Sequence, residues 1–152
     1  MNAASLNTLR ILLLLVAAGG LVAQIVVIPV FAAEMATLQV PYTVAAISVI
    51  ACVQVMLAAI WMLLSMVARS EIFRDAALRW VEVIIGAAVV ATAVTVGTGV
   101  HVVFIASTGG PAAFLGLCAA LVAGPAFVLL MLVMRGLLVE ATTLRSEMAE
   151  VV

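Results

Sequence analysis

The side chains in this chain that could do chemistry are few and widely separated. His101 is the single histidine, and Glu34 and Glu82 are the two carboxylates that fall beside or within long apolar runs. His101 and Glu34 are expected at similar depth near one boundary, where an ionisable pair could sense pH, since imidazole ordinarily titrates near pH 6.5, or hold a metal weakly. One histidine and one carboxylate fall short of the four ligands of a closed zinc site, and a single histidine excludes bis-histidine haem within one chain. The blander reading of His101 is an interfacial side chain without chemistry. Glu82 could relay protons, because an ionisable group inside a span is a functional candidate by default. It also lies at helical pair spacing from Arg79, so the competing expectation is an ion pair at the membrane edge. Gln24 and Gln54 are the amides in apolar surroundings. They are expected to tie helices together, or alternatively to line a polar cavity. No nucleophile and base stand at helical spacing, so no enzyme and no cofactor are expected.

The elements that position these groups follow from composition. Of the 152 residues 68% are hydrophobic and 9% charged, with a mean hydropathy of +1.47. A soluble domain carries about 25% charged residues, so this chain belongs in lipid. Its six basic residues are all arginine and the net charge is −1; no basic patch suits nucleic acid.

Four apolar segments are expected to span, at about 11–30, 42–66, 81–105 and 112–134. At 1.5 Å per residue each crosses a hydrocarbon core of about 30 Å. Arg10 precedes the first, Arg69, Arg74 and Arg79 lie between the second and third, and Arg135 and Arg145 follow the fourth. Arginines in short loops mark the cytoplasmic side. The reading is therefore an all-α integral membrane four-helix bundle in the cell (inner or plasma) membrane, multi-pass, with both termini cytoplasmic.

The loop 67–80 is expected to be partly helical, with Ser70 as cap and Phe73 on its apolar side. In the tail 136–152, Leu137, Ala141, Leu144 and Met148 recur at steps of three and four opposite Glu140, Glu147 and Glu150, which predicts that the fourth helix continues as a cytoplasmic amphipathic helix. Arg69, Phe73, Arg74 and Arg79 on the loop, with Leu144 and Glu147 on the tail, are the candidate cytoplasmic contacts. Small residues Gly116, Ala120 and Gly124 on segment four, and Gly86 with Val90 and Ala93 on segment three, predict close helix approach in one compact bundle. Pro125 is expected to kink segment four, and the uncharged STGGP is expected to reverse the chain through Gly109 and Gly110. Cys52 and Cys118 are expected to be buried free thiols.

The phrases SEIFRDAALRW, containing Phe73, and LLVEATTLRSEMAEVV, containing Leu137, Ala141, Leu144 and Glu147, resemble a family of small four-span prokaryotic membrane proteins of unknown function, often encoded beside a helix-turn-helix regulator. The resemblance implies no reaction or ligand and hints at a stress or regulatory role. The leading expectation is a non-enzymatic regulatory or accessory protein acting through helix association. The alternative is a small oligomeric transporter, channel or lipid-handling protein. Expected partners are membrane lipid and either a second copy of the chain or another membrane protein.

Overall fold

The structure, a computed structural model, describes residues 3–30, 40–68, 75–107 and 110–150. Four helices result: α1 (Ala3–Val22, continuing through a π turn at Ala23–Val27), α2 (Val40–Ala68), α3 (Asp75–Val100, followed by a second π turn at His101–Ile105) and α4 (Gly110–Glu150). All four are long and apolar enough to cross a membrane. The helices form because their polar groups can be satisfied only internally in lipid. Pro41, in the first turn of α2, sits where the missing N–H costs no helical bond.

Neighbours in the chain pair antiparallel. Arg10 meets Trp61 and Gln24 meets Ile47 between α1 and α2; Tyr42 meets His101 between α2 and α3; Gly99 meets Leu117, Thr92 meets Gly124 and Glu82 meets Arg135 between α3 and α4. The substantial helix contacts are α1 with α2, α2 with α3, and α3 with α4. The arrangement is looser than the compact bundle expected, because α1 leans on α2 and adds little to a shared interior. α3 is the hub. Its buried residues Ala77, Val81, Ile84 and Ala88 follow steps of four, three and four, the spacing of one continuous packing seam on a helix.

That seam corrects the small-residue face expected on α3. Gly86 meets nothing within 4 Å and Val90 is 51% exposed, so the Gly86, Val90, Ala93 face turns outward. Small size alone does not select a contact face when apolar side chains are equally at home in lipid. On α4 the expected face is half right. Gly124 packs tightly, since a Cβ there would lie 2.6 Å from Thr92 Oγ1 and closer still to Thr92 Cγ2, whereas Gly116 faces open space.

The reversal after α3 is described only in part, since Gly109 lies outside the described residues. Ser107 takes the left-handed conformation, with φ of 50°, while no described glycine has positive φ. Gly110 instead opens α4, two residues before the expected start. α4 then runs 41 residues without interruption, through Pro125. From Gly110 to Arg135 it rises about 38 Å, already more than a hydrocarbon core, and the remainder adds roughly 22 Å. Cys52 and Cys118 are free thiols, but the first is half-buried and the second exposed, where both were expected to be buried.

Candidate functional site

Two levels of polar contact bracket the helices. Along α2, Tyr42 and Trp61 are about 28 Å apart, and along α3 His101 and Glu82 are separated by the same rise. Their partners therefore define two planes spaced like the faces of a hydrocarbon slab.

At one plane, Arg10 lies with its guanidinium 5.7 Å from the centroid of the Trp61 ring, a cation–π distance. In the same plane Arg135 donates to Glu82 Oε1 from Nη2 at 2.6 Å and from Nε at 3.2 Å. This corrects the local pairing with Arg79. Helical spacing put Arg79 within reach, but antiparallel packing of α4 brings Arg135 across with two donors. The side chains are 40% (Arg135) and 52% (Glu82) exposed, so the pair acts as a boundary clasp rather than a buried relay. Arg79 is exposed. Glu34, Arg69, Phe73 and Arg74 lie outside the described residues, as do Ser70 with its expected cap, the Glu147 side chain and any docking of tail on loop, while residues 75–80 of the expected loop form the first turns of α3. Leu137 and Leu144, on the tail's apolar stripe, are 57% and 55% exposed.

At the opposite plane, Tyr42 Oη and His101 Nδ1 are 2.8 Å apart, the rings meeting edge to face at 5.8 Å. Gln24 donates through Nε2 to Ile47 O at 3.2 Å. Each of these contacts to α2 starts from a π turn: Gln24 lies within the first and His101 opens the second, whose closing bond runs from Ala106 N to His101 O at 2.8 Å. π turns concentrate at functional sites. Nothing in the apolar periodicity marked them, and Tyr42 was legible only as the start of a segment; an aromatic hydroxyl near an apolar boundary is the signal that it needs a partner.

Between the planes the polar groups disperse. Gln54 Nε2 is buried with no hydrogen-bond partner, as is Arg10 Nε. The Gln54 amide lies against α1, where a Cβ on Gly20 would be 3.2 Å from its nitrogen. It borders a cleft of about 170 Å³ closed by Leu13, Leu57 and Trp61. Gln24 is absent from that cleft, so the two amides do not line one polar path. Thr92 and Thr95 return their hydroxyls to Ala88 O and Ala91 O, at 2.8 and 2.7 Å, so each is satisfied within its own helix.

A larger cavity, about 520 Å³, opens among α2, α3 and α4 on the Tyr42 side. Tyr42, Ala46, Ile50, Thr95, Gly99 and Gly116 are among its walls. Among the described residues no three His, Cys, Asp or Glu side chains gather as a metal site would need.

The model of a family described as protein of unknown function (DUF2975) matches residues 27–152. The match leaves out almost all of α1, whose substantial contact among the described residues is with α2. No curated protein and no solved structure matches the chain.

Proposed function

The chain belongs to this family of unknown function, and from that premise we propose a non-enzymatic protein of the cell membrane that works through helix association as a regulatory or accessory component. The observation that carries this reading is the length and surface of α4. The helix continues well past the level of the Glu82–Arg135 clasp, with Leu137 and Leu144 uncovered on the projecting part. Exposed leucines beyond the hydrocarbon are stabilised by a partner surface, either another membrane protein or the same stripe on a second copy. The regulatory element comes from the resemblance to small proteins encoded beside helix-turn-helix regulators.

In this reading the plane of Arg10, Trp61, Glu82 and Arg135 is cytoplasmic. Arg10 and Arg135 share it through antiparallel packing, Arg79 lies in the first turns of α3 at that end, and Arg69 and Arg74 fall in sequence between α2 and α3. Both termini then face the cytoplasm. Cysteine substitutions along 137–144, crosslinked in native membranes, test the proposal. Adducts to a second copy or to one neighbouring protein are expected, and absence of both while a lipid-facing control site stays unreactive refutes it.

A second reading, lipid handling, is favoured by the large apolar cavity. The conduit form of the alternative loses its main support, since Gln24 and Gln54 lie in separate surroundings.

A further inference from the structure

We propose that the cavity among α2, α3 and α4 is a lipid site, taking one acyl chain of a membrane glycerolipid while His101 at its mouth holds the lipid's ester or phosphate oxygens. The inference rests on the lipid-handling reading and on residence in the bilayer. It requires no association between copies.

The interior selects an apolar occupant. Its volume of about 520 Å³ is within the range of small-ligand sites. The space exists because Ala45, Ala46, Gly99, Ala113 and Gly116 are small at facing positions, while Leu117, 5% exposed, packs against Gly99. The hydroxyls in the cavity walls are those of Tyr42, Thr95 and Thr98; Tyr42 meets His101 Nδ1 at 2.8 Å and Thr95 meets Ala91 O at 2.7 Å, and the rest of the lining is apolar. A cavity without convergent polar groups does not retain water, and what surrounds this one is hydrocarbon.

The shape selects a thin occupant. From Tyr42 to Ile50 the cavity follows α2 for about 12 Å. A single extended acyl chain matches an open cleft of that length and enters it from the side.

The mouth selects an oxygen acceptor. Tyr42 lines the cavity and its hydroxyl oxygen lies 2.8 Å from His101 Nδ1. In the proposal the Tyr42 hydroxyl is the donor of this pair, which leaves the proton of the neutral imidazole on Nε2. That N–H is a donor at the plane where ester and phosphate oxygens lie, and among the described residues none accepts from it. His101 is exposed and opens a π turn, the kind of local widening that recurs at ligand sites.

The test uses the full chain reconstituted in phosphatidylglycerol vesicles containing a small fraction of the same lipid with a diazirine on one acyl chain. After irradiation, adducts are mapped by peptide mass spectrometry. They are expected to concentrate on Val49, Thr95 and Leu117. Gly116→Phe, placed where an added side chain meets open space, should lower these adducts by about tenfold. Gly86→Phe, equally open but outside the cavity, should leave them unchanged. His101→Ala should lower them by about fivefold by removing the head contact. Adducts spread evenly over lipid-facing positions such as Leu15 and Val122 would overturn the proposal, as would insensitivity to Gly116→Phe or cavity residues joined to a peptide of a second copy. Failure of tail crosslinking bears on association alone and leaves this adduct pattern untouched.

Discussion

Gly124→Ala should weaken the α3–α4 pairing, although alanine is the better helix former. The new methyl would stand 2.6 Å from Thr92 Oγ1 and 3.1 Å from Thr92 Cβ, and nearer again to Thr92 Cγ2. Ordinary contact between such groups is about 3.5–4 Å, so the helices must part by roughly 1 Å or Thr92 must turn. Turning is restricted, because the side chain is β-branched and its hydroxyl is bound to Ala88 O at 2.8 Å. Overpacking of this kind costs about 1–3 kcal/mol. The helix-propensity gain offsets at most about 1 kcal/mol, leaving a net loss of about 1–2 kcal/mol. Reversible unfolding in mixed detergent micelles, followed by tryptophan fluorescence, measures it. Gly86→Ala, with nothing within 4 Å of the added methyl, serves as the control and should be neutral or slightly stabilising. Thr92→Ala should restore most of the loss in the double variant. A Gly124→Ala protein as stable as the Gly86→Ala control, or one that Thr92→Ala does not rescue, would refute the close approach as the point that sets helix spacing.

Gln54→Leu should stabilise by about 1–2 kcal/mol in the same unfolding assay, because it removes a buried amide donor that has no partner; destabilisation would show that the amide is satisfied in the folded protein. Ser107→Gly should add about 1 kcal/mol by relieving the left-handed backbone, read as a higher unfolding midpoint, and a lower midpoint would contradict the assignment. For the boundary clasp, a double-mutant cycle on Glu82→Gln and Arg135→Gln should give a coupling of about 0.5–1 kcal/mol that shrinks as salt rises, given side chains 40–52% exposed. A coupling of zero would mean that the two side chains meet without holding the helices.

The existence of four helices was legible because runs of apolar residues longer than a bilayer's thickness permit little else. How they pair was not. In water the polar face of a helix points outward and so reveals the contact face, but α3 is apolar nearly all round, and Gly86 and Val90 looked as suitable for packing as Ala77 and Val81. Glu82 was recognised as a boundary residue, yet its partner lies 53 residues away on another helix, beyond what local spacing can choose. The partners of Thr92 and Thr95, by contrast, are four residues back on their own helix, a spacing that sequence does carry. The Tyr42–His101 contact spans 59 residues and begins from a π turn, and neither property leaves a trace in hydrophobic periodicity.

Pairing of each helix with the one preceding it bears on how the protein is made. Every new segment entering the bilayer finds its docking surface already delivered, so maturation can keep pace with the ribosome and no early helix waits for a distant partner. The first hairpin is complete before the third segment emerges. Two walls of the cavity, on α2 and α3, come next, and the last wall arrives only with Ala113, Gly116 and Leu117. A nascent chain halted before α4 would expose an open gutter, and under the proposed lipid site the acyl chain would be enclosed as the closing act of biogenesis.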